Sequence, residues 1–327
     1  VRNIFGVAGA TIAVALLAAC SGGAPGTGST LPTGASQNHV QNDLARSGVT
    51  PHFVGFQRVM HALHVLPGKK KKGGDLFVDD FSLNAAVELA NKTWTDVGSI
   101  TSGMDGPDGN WVDKKGNLYV ANYVNAEINE YAKNHTSPKY TYSGVTDPVD
   151  VTTDAKGNVY EADFGGAYVT EFAQGGSETA QCSTANDPAE GVVADKAGDI
   201  FVSTENALVE FKGGLSGCSM TTLYGDLSFG GGLAMDTKGN ILVCDQDFEV
   251  IDVFKAPYTS ISSTFGSGYS DPFHITINKN NKQAYVTNYG ASVFVMSYPS
   301  GSVQATLNSS NGLSSPLGAV DTANLNP

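Results

Sequence analysis

A short strand-like motif returns six times along this chain and constrains its fold more than any other feature. It reads D-L-F-V-D-D from Asp75, N-L-Y-V-A-N from Asn117, N-V-Y-E-A-D from Asn158, D-I-F-V-S-T from Asp199, N-I-L-V-C-D from Asn240 and Q-A-Y-V-T-N from Gln283. The intervals are 42, 41, 41, 41 and 43 residues. A fixed period of this length marks an array of like units, each unable to bury its apolar face alone. Within each copy large apolar residues alternate with period two, the pattern of a strand. Four copies follow an Asp-x-x-Gly turn, at Asp113, Asp154, Asp195 and Asp236. The Asp side chain can bond back to turn amides there, and the Gly takes the positive φ that closes the hairpin.

Upstream of each motif lies another apolar strand, opening at Pro107, Pro148, Pro188, Gly230, Pro272 and Pro316. Downstream lies a third strand ending near an aromatic, at Tyr131, Phe172, Phe211, Phe254 and Tyr298. The remaining residues of each period hold a fourth. Four short strands per repeat make one propeller blade. The expectation is an all-β chain, a six-bladed β-propeller of four-stranded blades. The first copy lacks its Pro-led strand and the chain ends with a spare one from Ser315, so the C-terminal strand is expected to complete the N-terminal blade and abolish the free edges.

The propeller is assigned residues 75–327. Ahead of it, residues 1–19 hold Arg2 and a short apolar run ending Leu17-Ala18-Ala19-Cys20. That resembles a bacterial signal peptide with a lipobox, which implies lipidation of Cys20 and a place at the cell envelope, periplasmic or surface, held to the membrane through the lipid only. Residues 20–50 are rich in Ser, Gly and Pro and read as a tether. Residues 51–74 combine a short amphipathic segment, with His61 and His64 three apart, and the basic run Lys69–Lys72.

Charge narrows the partners. The 327-residue chain carries 19 Lys and Arg against 32 Asp and Glu; seven of those bases and one of those acids precede Asp75, leaving a net charge of −19 beyond it. Such a surface repels a phosphate backbone, which argues against nucleic acid. No Gly-rich phosphate loop, zinc signature or G-x-S-x-G elbow is present.

The pattern P-x-x-x-x-V-D-x-x-G-N-x-Y-V-A-D/N…V-x-E-F resembles the NHL-type repeat from about Asp75 to Asp321. That resemblance implies an interaction platform; its relatives include gluconolactonase/regucalcin-type hydrolases and the streptogramin lyase, so fold alone leaves function open. In the lactonase-type relatives a Glu and Asn or Asp residues at the channel mouth hold a divalent metal. The positions available here for such an ion, Ca²⁺ for example, are Glu190 and Asp108, although no Glu-Gly-Pro motif appears. Strand order puts Asp108, Asp150, Glu190 and His274 near one mouth, with Asn122, Tyr123, Asp163, Asn288 and Tyr289 in adjoining loops. These residues suit a peptide, glycan or protein ligand, or else they cap strand ends and pack blades together. Cys182 and Cys218 fall in the outer parts of successive blades, and in an exported protein a disulfide between them is open. Three functions follow for a monomer: a binding scaffold at the acidic mouth, a metal-dependent lactone or ester hydrolase, and a purely structural envelope protein.

Overall fold

A computed structural model describes residues 75–322, and the signal, lipobox, tether and amphipathic segments lie outside the described residues. Six antiparallel sheets of four strands account for the described chain. The first joins β1 (Leu76–Asp80), β2 (Ala85–Leu89) and β3 (Asp96–Ile100). The next blade is β4 (Pro107–Val112), β5 (Leu118–Asn122), β6 (Glu127–Tyr131) and β7 (Pro138–Ser143). Then come β8 (Pro148–Thr153), β9 (Val159–Asp163), β10 (Tyr168–Phe172) and β11 (Glu178–Ser183). The fourth holds β12 (Ala189–Ala194), β13 (Ile200–Thr204), β14 (Leu208–Phe211) and β15 (Met220–Tyr224). The fifth holds β16 (Gly230–Met235), β17 (Ile241–Asp245), β18 (Val250–Phe254) and β19 (Ile261–Thr264). The sixth holds β20 (Pro272–Ile277), β21 (Gln283–Asn288), β22 (Ser292–Ser297) and β23 (Val303–Leu307). The last strand, β24 (Pro316–Asp321), pairs antiparallel with β1 and completes the first sheet. The chain is an all-β, six-bladed propeller closed by its C-terminal strand.

The innermost strands β4, β8, β12, β16, β20 and β24 each touch the next around a closed ring. All six are buried along nearly their whole length, whereas outer strands such as β19 are exposed throughout. Four of them open on Pro, which suits a first strand residue because no ladder N–H is needed there. Apolar side chains from facing sheets fill the wedges between blades. Tyr131, Phe172, Phe211 and Phe254, the aromatics that end successive third strands, are at most 1% exposed. Full burial of a side chain of this size stabilises the fold by about 1.5–3 kcal/mol. The turns between first and second strands close as the sequence requires: Asp236 Oδ1 accepts from the Lys238 and Asn240 amides at 2.8 and 2.9 Å, and Gly239 takes φ 81°. The fifth such turn uses Asn278, whose Oδ1 accepts from the Lys282 and Gln283 amides.

Candidate functional site

Every innermost strand carries a bulge against its second strand, just after the Pro or its equivalent. Counting from those bulges, Gly109, Asp150, Gly191, Gly232, His274 and Gly318 occupy one level of the ring. At this level the strands approach too closely for most side chains. A Cβ built on Gly191 would lie 2.9 Å from Gly232 Cα, and one on Gly232 would lie 2.9 Å from His274 Cδ2. Asp150 and His274 are the two exceptions, and they stand three blades apart, on opposite sides of the ring. His274 Nε2 meets Asp150 Oδ1 at 3.2 Å. Asp150 also accepts from its neighbour's amide, Val151 N, at 2.8 Å, and from Val192 N of the next blade at 2.9 Å. Both residues are at most 4% exposed. The channel is thus barred at its waist by one hydrogen-bonded pair of side chains.

On one side of the bar lies the mouth at which the sequence places Asp108 and Glu190. Asp108 and Glu190 are buried there, and Asp108 Oδ1 makes no hydrogen bond. Burial, reinforced by the negative charge of Asp150, pushes the Asp108 carboxyl well above the usual carboxylate range. Burial does the same to Asp79, whose acidity the Asn110 amide partly restores while Asp108 and Asp80 oppose it. Tyr123 gathers the mouth together. Burial first, then the fields of Asp147, Asp108, Glu190 and Asp163, hold its phenol far above the ordinary range.

The polar residues that end the second strands do different work. Asn122 Oδ1 accepts from the Asp105 amide at 3.1 Å, Asp163 from Thr146 and Gly166, both at 2.6 Å, and Asn288 Oδ1 from Ser270 and Asp271 at 2.9 and 3.1 Å. Asp80 and Asp245 repeat the arrangement with Ser314, Ser315 and Ser228. These buried groups staple the loop that enters each blade, because loop amides buried at a mouth need acceptors. Their oxygens are turned to the backbone, so Asn122, Asp163 and Asn288 hold the mouth loops in shape. Of the aromatics beside them, Tyr123 packs on the core that contains Phe164, and Tyr289 meets Phe273 edge-on with ring centroids 5.0 Å apart.

The divalent metal implied by the lactonase likeness does not fit the residues present. Among the described residues no three or more His, Cys, Asp or Glu are grouped to hold an ion. Cys182 and Cys218 are joined, with the sulfurs 2.04 Å apart, and Cys244 is a free, buried thiol. Among the described residues no helix is long and apolar enough to cross a membrane.

On the other side of the bar, a cavity of about 260 Å³ opens among the Asp-x-x-Gly turns. Asn110, Asp150 and His274 line it, with walls that include Val193, Ala234 and Ile275. The sequence reading gave those turns a hairpin-closing role and no ligand. The signal for the waist was available in P-D-G, A-E-G, G-G-G and P-L-G, where Gly recurs at one level of the inner strands.

No protein-family model matches the sequence, and no curated protein matches it. Solved structures do. A chain of a nidogen/laminin complex aligns with a TM-score of 0.64 at 15% identity, covering 76% of this chain and 98% of that one. A protein of unknown function from Bacteroides caccae gives 0.63 at 11% identity, with the same coverage of 76% and 98%. A streptogramin B lyase gives 0.50 at 10% identity over 71% of this chain and 74% of the other. At these identities the likeness is one of architecture: the chain is similar to six-bladed propellers in fold.

Proposed function

We propose that this protein is an NHL-like binding propeller of a bacterial envelope, anchored through lipid on Cys20, whose acidic mouth takes a basic segment of an envelope protein. The observation that supports this is the set of buried acids at the mouth, Asp108, Asp163 and Glu190, beside the half-buried Tyr123. A Lys or Arg side chain entering there would meet charge and a hydrogen-bonding phenol in a partly desolvated setting, where charge-assisted bonds are strongest. A similar propeller fold occurs in the nidogen/laminin complex, so protein binding is within the reach of this architecture. The test is a panel of Lys- and Arg-containing peptides beside a panel of neutral glycans, read by calorimetry. Salt-sensitive binding of basic peptides, weakened tenfold or more by Glu190→Gln and by Tyr123→Ala, is the expected result. Binding of glycans alone, or peptide affinity unchanged in both variants, would overturn the reading. Labelling cells with a fatty-acid probe tests the address: the chain should carry label, and Cys20→Ser should lose it and release the protein from membranes.

A further inference from the structure

Charge divides the propeller between its two ends. The turns from first to second strands and those from third to fourth strands lie at the Asp-x-x-Gly end. Beyond Asp75 the chain holds twelve Lys and no Arg, and eleven of the twelve sit in those turns. An inner ring of seven runs from Lys114 to Lys282 through five successive blades, and Lys92, Lys133, Lys212 and Lys255 stand outside it. All are exposed. The twelfth, Lys139, is paired with Glu130 at 2.9 Å. Among the described residues, the loops at the mouth end hold eight acids, from Asp105 to Asp271, and neither Lys nor Arg.

Five Asp share the turns at the lysine end, but their carboxylates are turned to the backbone. Asp113 Oδ1 accepts from the Lys115 and Asn117 amides, both at 2.8 Å, and Asp154, Asp195 and Asp236 close their own turns in the same way. Asp199 Oδ1 accepts from the Gly213 amide at 2.7 Å. None of the five is exposed, whereas the lysines beside them are. A strand of five or six residues separates the two ends by about 17–20 Å, well beyond the ~8 Å over which physiological salt screens a charge. A charged plane laid on the lysine end therefore meets its cations and is screened from the acids of the mouth.

The chain also enters at this end. Asp75 N donates to Thr322 Oγ1 at 2.8 Å, which fixes the start of β1 beside the turns, and Lys69–Lys72 stand just ahead of it in sequence. We propose that the Asp-x-x-Gly end is a docking face for a bilayer containing anionic phospholipid, with its lysines against the lipid phosphates and the mouth turned away from the membrane. Point charges spread through five blades match a plane of headgroups, whereas a single strand of polyanion is held along a groove. This docking face rests on the envelope reading for its address only, since the tether brings the propeller to the membrane and the lysines decide which end faces it.

The experiment is sedimentation of the intact Cys20→Ser chain, which takes no lipid, with vesicles of phosphatidylcholine alone or mixed with phosphatidylglycerol. Phosphatidylglycerol should raise the affinity at least about tenfold, each lysine near such a surface supplying about fivefold, and about 1 M salt should abolish the gain. Lys114→Gln, Lys196→Gln, Lys238→Gln and Lys279→Gln together should cut the gain at least about fivefold. Ser82→Asp, Asn125→Asp, Ser267→Asp and Ala291→Asp, at exposed mouth positions, change the net charge equally and should cut it less than about twofold. Nitroxide-labelled headgroups give a readout that needs no variant: they should broaden the amide signals of Gly116, Gly198 and Gly239 and spare those of Gly165 and Gly268. No gain from phosphatidylglycerol, the same affinity in the two quadruple variants, broadening at the mouth, or tighter binding of inorganic polyphosphate than of vesicles, compared per phosphate, would each overturn the proposal. Vesicle binding by a chain that takes no fatty-acid label in cells would strike the anchor and leave the lysine face standing.

Discussion

Replacing Asp150 with alanine removes the acceptor on which two distant parts of the ring depend. Val192 N, one blade away, loses a bond of 2.9 Å, and His274 Nε2, three blades away, loses one of 3.2 Å. Leaving a buried donor unsatisfied costs about 1–3 kcal/mol, so these two losses and that of Val151 N, bonded to the same carboxylate at 2.8 Å, cost about 3–9 kcal/mol. Water admitted through the adjoining cavity can serve two of the three donors, which brings the expected loss down to about 2–3 kcal/mol. Asp150→Asn should cost less than about 1 kcal/mol, because its carbonyl still serves Val192 while its amide faces a ring that can shift its proton to Nδ1. Urea unfolding at constant m measures both, and for a domain of this size the alanine variant should melt roughly 4–12 °C lower. The double variant Asp150→Ala/His274→Ala should then be less destabilised than the sum of its parts, with a coupling of about 1 kcal/mol or more. A loss under about 0.5 kcal/mol for Asp150→Ala, or additive effects within about 0.5 kcal/mol, would refute the view that this pair ties opposite blades together.

Four other outcomes are expected. Burial pushes the Glu161 carboxyl well up from its ordinary range, at a strand position where the sibling blades carry Val120, Val202, Val243 and Val286. A carboxyl raised by folding lends stability below its unfolded pKa and loses it as pH rises toward the folded one; Glu161→Val should therefore stabilise by about 1 kcal/mol or more at pH 8 and by less at pH 4, measured by urea midpoints. Asp252, raised by burial and then by Asp245 to about 6, should lose its stabilising share as pH climbs from about 4 through 6, and Asp252→Asn should flatten the melting curve in that window. The disulfide closes a stretch of 36 residues, so Cys182→Ala with Cys218→Ala should cost about 4 kcal/mol by loop-closure entropy, read under non-reducing conditions. Binding of a basic peptide at the mouth should ionise Asp108 and release a proton, so affinity should rise with pH and the heat should vary with the buffer's own ionisation heat; Asp108→Asn should remove both effects.

The blade plan was legible because it depends on what repeats: alternating strands, Asp-x-x-Gly turns and Pro-led inner strands all follow from local chemistry read at a fixed period. Even the closure of the ring could be read, since the copies are out of phase with the chain ends. The site was legible only in part. Asp150 and His274 were marked as residues of one mouth, but their bond crosses the ring between residues 124 apart, and no spacing announces that. Asn122, Asp163 and Asn288 looked like ligand groups because they are polar at strand ends; their partners are loop amides, which sequence does not display. The inner-strand bulges shift register by one residue, and that shift decides that Gly109, Gly191, Gly232 and Gly318 share a level with the pair.

The pairing of β24 with β1 also sets an order of events in time. Asp75 and Thr322 exchange bonds across 247 residues, so the first strand of the propeller meets its partner only when the last has been made and delivered. Until then the inner edge of β1 is an open template for another chain. A ring that shuts last and from its two ends must search for its longest-range contact at the close of folding, when that search is slowest. If the chain is exported as proposed above, the seam is a checkpoint: passage has to finish before the propeller can become a closed body, and a molecule stalled partway stays unlatched.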